Sequence, residues 1–203
     1  MARLRIPCRR AAFLLQDAHG SALLEFAITL PLLVVFVVGI YDFSGAFNQR
    51  QKIDQAAQEG AIIAGAQPMG DIASSSSAPT NPSSLQPVVT AIFNSLAAGG
   101  LLPNANQGTC GPPFTPSGQA GLTWTYTISG CSAVTGDQLV ITVNRGWVSG
   151  SGTDGATVAV GTIVTVQLPY HWRFNSVIQL LIPGANYAAT TQVTEVSTVH
   201  NQI

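Results

Sequence analysis

The chain has 203 residues, enough for one domain with an appended element and too few for two of ordinary size. It carries eight basic and nine acidic side chains, far below the usual quarter of a soluble domain, and Gly, Pro, Ser, Thr, Asn and Gln fill the deficit. A net charge of −1 leaves no footprint for nucleic acid, and an apolar share of 46% argues against a disordered tail. The charges are unevenly placed. Arg3, Arg5, Arg9 and Arg10 form a basic head, whereas residues 72–203 hold only Asp137, Arg145, Asp154, Arg173 and Glu195. So neutral an exported surface fits either a domain that packs against protein neighbours or a solvated Thr/Ser/Asn face.

Residues 26–41, FAITLPLLVVFVVGIY, contain no charge. Extended back to Leu23, the run spans about 28 Å of helix at ~1.5 Å per residue, close to the thickness of a bilayer core. Four arginines precede it and only Arg50 and Lys52 follow soon after, so the positive-inside bias keeps the N-terminus cytoplasmic and exports residues 44–203. A bacterial inner membrane, crossed once, is the expected location. The competing reading is a secretory signal peptide, for which Ser44 and Ala46 offer a weak cleavage site.

Two features exceed what spanning requires. Glu25 lies inside the cytoplasmic end of the run, where an unpaired carboxylate is costly. Gly20 lies five residues earlier, and a cut after it releases an α-amino group on Ser21, one helical turn from Glu25. The buried charge then gains a counter-ion, in its own chain or from a neighbour. Gly20 and Glu25 alone leave a second reading, an interfacial Glu25 that reaches toward headgroups.

The surrounding sequence, GSALLEFAITLPLLVVFVVGIYDFSGAFNQRQKIDQAAQEGAIIAGA at 20–66, resembles the TadE-like family of pilus-assembly proteins. The likeness rests on Gly20, Glu25-Phe26, Leu30-Pro31, Gly39, Asp42-Phe43 and the small-residue run from Ala56 to Ala61. Relatives often carry arginine where this chain has Gln58 and Ile62, so contacts made by those arginines do not transfer. The resemblance implies a minor pseudopilin of tight-adherence pili. Its leader, residues 1–20, would be removed by a prepilin peptidase at the bond between Gly20 and Ser21. Glu25, followed by Phe26, would set subunit registry against other pilin or pseudopilin subunits. Cys8 would leave with the leader.

The helix is expected to continue through residues 44–66, which lack proline and are rich in Gln, Ala, Lys and Glu. Ala56, Gly60 and Ala64, with Ala57, Ala61 and Gly65, make a flat face suited to close backbone approach, expected within the chain. Residues 21–66 thus form one transmembrane and extended helix. Residues 67–84 read as a Ser/Pro-rich linker, followed by an exported domain over 85–203.

Within that domain, residues 85–96 place Val88, Val89, Ile92, Phe93 and Leu96 at helical spacing, ended by Gly99 and Gly100. Residues 101–121 read as loop. From Leu122 the period is two. LTWTYTIS and residues 138–144 predict a hairpin, and ATVAVGTIVTVQLPY predicts a strand that breaks or bulges at Gly161. Residues 177–182 predict a short helix, and residues 189–199 a final Thr/Val strand. The expected fold is α+β: a pilin-like long helix followed by an antiparallel sheet of about four strands with short helices.

Cys110 and Cys131 form an even pair in an oxidising compartment and are expected to make a disulfide, with two free thiols as the alternative. No histidine lies near them, so no zinc site is expected. His19, His171 and His200 are scattered, and no nucleophile elbow, P-loop or dinucleotide fingerprint occurs. Asp137, Asp154 and Glu195 stand too far apart in sequence to argue as an acid/base pair. His171-Trp172-Arg173 reads as a cap between strand and helix. No enzyme activity, catalytic residue, metal or cofactor is expected. The rival to a pilus component is a permanently anchored envelope module that binds through its β-rich domain.

Overall fold

The computed structural model describes residues 18–72, 80–149, 159–174, 179, 184 and 190–202. Helix α1 runs Ala18–Ala66. Two compact units share the chain: Met1–Phe43 with Arg173–Asn186, and Ser44–Trp172 with Tyr187–Ile203.

In the first unit, residues 26–41 of α1 carry no charge on any side, which is the pattern of a helix suited to an apolar solvent. The most apolar stretch has a mean hydropathy of 2.6 and none of it is buried within the protein, so the helix is long and apolar enough to cross a membrane. Pro31 lies inside it and supplies no N–H to the carbonyl of Ala27.

In the second unit, α1 turns one stripe inward. Ile53, Ala56, Ala57, Ala61 and Ala64 are buried at three- and four-residue spacing. Helix α2, Gln86–Ala98, follows a 3-10 turn at Ser83–Leu85 and starts with Pro87 in its first turn. Its Val88, Val89, Ile92, Phe93 and Leu96 are fully buried, as their spacing predicts. The small residues of α1 admit this core. A Cβ on Gly60 would come 2.4 Å from Cγ1 of Ile92, and one on Gly65 would come 2.9 Å from Cγ1 of Val199.

The sheet is an antiparallel meander in sequential order: β1 Gly118–Ala120, β2 Thr123–Ser129, β3 Gln138–Ser149, β4 Ala159–His171 and β5 Thr190–His200. Trp124 and Tyr126 of β2, Leu139, Ile141 and Val143 of β3, and Val164, Val166 and Leu168 of β4 point into the core. The other face is rich in threonine, with Thr125, Thr142 and Thr165 side by side across three strands.

The α+β class is therefore as expected, with five strands among the described residues rather than about four. Strand β1 falls in the stretch expected to be loop, because its Gly-Gln-Ala sequence carries no period to detect. Strand β3 continues to Ser149 through an irregularity between Asn144 and Trp147. The bulge thus sits in β3, opposite Gly161 rather than at it. Gly161 is needed because a Cβ there would lie 2.5 Å from Cε3 of Trp147. Of the helix expected at residues 177–182 only Gln179 is described, and it is helical; the others lie outside the described residues.

Candidate processing and registry site

Gly20, Ser21, Glu25 and Phe26 all lie on α1 and all are exposed. A Cβ on Gly20 would meet nothing within 4 Å, so glycine is not there for packing. The bond between Gly20 and Ser21 lies within the helix, and cleavage requires local unwinding, which glycine eases by about 1 kcal/mol relative to alanine. Ser21 and Glu25 stand one turn apart, about 6 Å along the axis. Among the described residues no cation pairs with Glu25. Thr29 donates its hydroxyl back to the Glu25 carbonyl at 2.9 Å, a bond that leaves the Glu25 carboxylate untouched. Among the described residues the geometry offers one unpaired carboxylate on an exposed apolar helix, one turn from Ser21.

At the other end of the apolar run stands Asp42, only 2% exposed, whose Oδ2 accepts the backbone N–H of Phe174 at 2.7 Å. The sequence marks Asp42 as the first charge after the span and as one position of the TadE-like resemblance. Its partner is 132 residues away, which no local pattern reveals.

The second unit contains three further polar groupings. Cys110 and Cys131 are joined in a disulfide that ties the loop after α2 to the end of β2. A loop of this length contributes about 3 kcal/mol in the chain-entropy account. Asp137 and His171 form a pair at 2.7 Å, and the same carboxylate oxygen accepts the Ser132 hydroxyl, also at 2.7 Å. Thr190 completes the chain, its hydroxyl 3.2 Å from Nδ1 of His171. These bonds fasten the β2–β3 connection to the ends of β4 and β5, beside a cavity of about 490 Å³ lined by Asn104, Thr109 and residues 129–130 and 132–138. His171 thus ends its strand as expected but is held by Asp137, which sequence distance had left isolated. Glu195 pairs with Arg50 instead, so Asp137 and Glu195 are not brought together. Asp154 lies outside the described residues.

Arg145 continues the inward parity of Leu139, Ile141 and Val143 and is fully buried. One guanidinium nitrogen donates to the Gln67 carbonyl at 2.8 Å. Burial pushes its pKa down, against the opposing pull of Asp71. That alternation was visible in the sequence, and the end of α1 as its acceptor was not. Among the described residues no three His, Cys, Asp or Glu side chains gather as metal ligands.

No curated protein and no solved structure is detectably similar to the chain. A family model described as TadE-like protein matches residues 20–61, which include Gly20, Ser21, Glu25, Phe26, Asp42 and the small-residue face up to Ala61. The likeness to that model thus runs from the exposed glycine through the apolar run to the packed stretch of α1.

Proposed function

We propose that the protein is a non-catalytic minor pilin-like component in the assembly of tight-adherence pili, processed after Gly20 by a prepilin peptidase. The observation that carries this reading is the TadE-like segment, with Gly20 and an unpaired Glu25 at the exposed start of an apolar helix. A carboxylate in an apolar medium costs several kcal/mol unless a cation reaches it. Cleavage supplies that cation as the ammonium of Ser21. When one subunit's ammonium meets another's Glu25, the charge pair selects a single axial offset between their helices. The inner membrane holds the unprocessed chain with its N-terminus in the cytoplasm, and the other pilin or pseudopilin subunits are the partners. The test is the N-terminus of the mature protein. It is expected to begin at Ser21, and an intact Met1 would remove the pilin-type mechanism. Glu25→Ala is expected to leave cleavage intact and reduce piliation; unchanged piliation would remove the registry role.

A second reading is a permanently anchored envelope binding module. It is favoured by the uncharged threonine row of Thr125, Thr142 and Thr165 on the outward sheet face. Fractionation separates the two, because a pilus component enters sheared surface material and a permanent anchor stays with the membrane.

A further inference from the structure

We infer that the chain touches the bilayer a second time, with Phe174 in the acyl region of the leaflet from which the span emerges. This rests on the reading that residues 23–41 cross a membrane. Three described positions of the first unit carry it. The Phe174 N–H is held by the Asp42 carboxylate at 2.7 Å, immediately beyond the end of the span. The Phe174 ring reaches back along α1, its Cε2 lying 4.0 Å from where a Cβ on Gly39 would stand. Gly39 precedes Asp42 by three residues, about 4.5 Å of helix at ~1.5 Å of rise per residue, so the ring meets α1 on the span side of Asp42.

A ring packed against Gly39 shares the depth of Gly39, inside the last turn of the apolar run. Glycine makes this approach close, since its missing side chain leaves the helix surface open to the ring. Asp42 marks the polar boundary, and it is itself shielded, only 2% exposed. The neighbouring Arg173 is exposed, so an anchored phenylalanine stands beside a cation suited to lipid phosphates. In sequence, residues 177–182, VIQLLI, carry no charge. The occupant of this surface is therefore phospholipid, with acyl chain against Phe174 and anionic headgroup near Arg173. Functionally, the second contact holds Arg173 and Phe174 at the membrane until the span is withdrawn.

The test uses the full chain in liposomes of phosphatidylethanolamine and phosphatidylglycerol. A benzophenone analogue of phenylalanine is placed at position 36, 114 or 174 in turn, irradiated, and lipid adducts are read by mass spectrometry. Adducts are expected at 36 and 174 and not at 114, which is buried in the core of the second unit. An adduct at 36 without one at 174 overturns the inference and leaves the span intact. Adducts at neither position overturn the membrane reading as well. Asp42→Ala is expected to lower the adduct at 174 by at least about twofold, the loss of one anchoring hydrogen bond. As an independent readout, the added emission of Phe174→Trp is expected to be quenched by brominated phospholipid. Quenching by aqueous iodide alone would overturn the inference.

Discussion

The two halves of α1 are built from one continuous helix and solve opposite problems. Up to Phe43 large apolar side chains stand exposed around the helix, among them Leu23, Phe26, Leu33, Phe36 and Ile40, with Glu25 and the buried Asp42 as acidic exceptions. From Ser44 the large side chains give way to Ala and Gly on one stripe, which is buried at Ala56, Ala57, Ala61 and Ala64. The first half is long and apolar enough to be stabilised by a surrounding apolar medium. The second half depends on α2 and the sheet, and its small residues let those elements come close. The difference explains why glycine has two meanings in one helix. At position 60 a Cβ collides with Ile92, whereas at position 20 it meets open space.

The largest expected effect tests whether burial by protein is confined to the second half. Phe93→Ala, in the fully buried face of α2, is expected to destabilise the second unit by about 3–5 kcal/mol, whereas Phe36→Ala leaves its unfolding unchanged. Urea unfolding of the full chain in detergent micelles, followed by tryptophan emission, reads both. Equal losses would mean that the span also packs as a protein core.

The glycine contrast is the next effect in size. Gly60→Ala is expected to cost about 1–3 kcal/mol by overpacking against Ile92, and Gly20→Ala to leave the unfolding midpoint unchanged. A neutral Gly60→Ala would show that the close approach is slack. Gly20→Ala is instead expected to block release of the leader, visible as retained mass.

The smallest effect concerns a polar group that only the second unit buries. Among the described residues the Tyr126 hydroxyl has no hydrogen-bond partner, and burial pushes its pKa up to about 12 from an ordinary 10.0. Tyr126→Phe is expected to gain about 1 kcal/mol at neutral pH, by removing an unpaired buried group. Because the folded-state pKa is raised, the neutral phenol's contribution is complete below pH 10 and is lost as pH rises toward 12. Unfolding midpoints of the parent should therefore fall more steeply than those of Tyr126→Phe between these values, and parallel curves would refute the burial argument.

Much of this was legible along the chain. The apolar run announces the span because nineteen consecutive residues without a soluble face have no other inexpensive environment. The period of two in LTWTYTIS announces β2, with Trp124 and Tyr126 inside as their parity requires. The Ala/Gly face of residues 56–65 announces a close contact, though not with Ile92 in particular. What stayed hidden was non-periodic or distant. Strand β1 is too short to show a period, and its pairing with β2 comes from the register of the sheet. The bulge in β3 follows from Trp147 lying over Gly161, a contact between two strands that are separately unremarkable.

For the candidate site, the division runs along sequence separation. Gly20, Ser21, Glu25 and Phe26 are neighbours on one helix, so helical spacing alone determined their arrangement. Asp42 and Phe174, Asp137 and His171, and Arg50 and Glu195 meet only after the chain has closed large loops. Sequence determined the elements, the span and the charge waiting at Glu25, because these depend on short-range backbone geometry and on solvent preference. Tertiary structure alone decided which carboxylate is capped and which are paired, because those choices are made by groups that folding brings within hydrogen-bond distance.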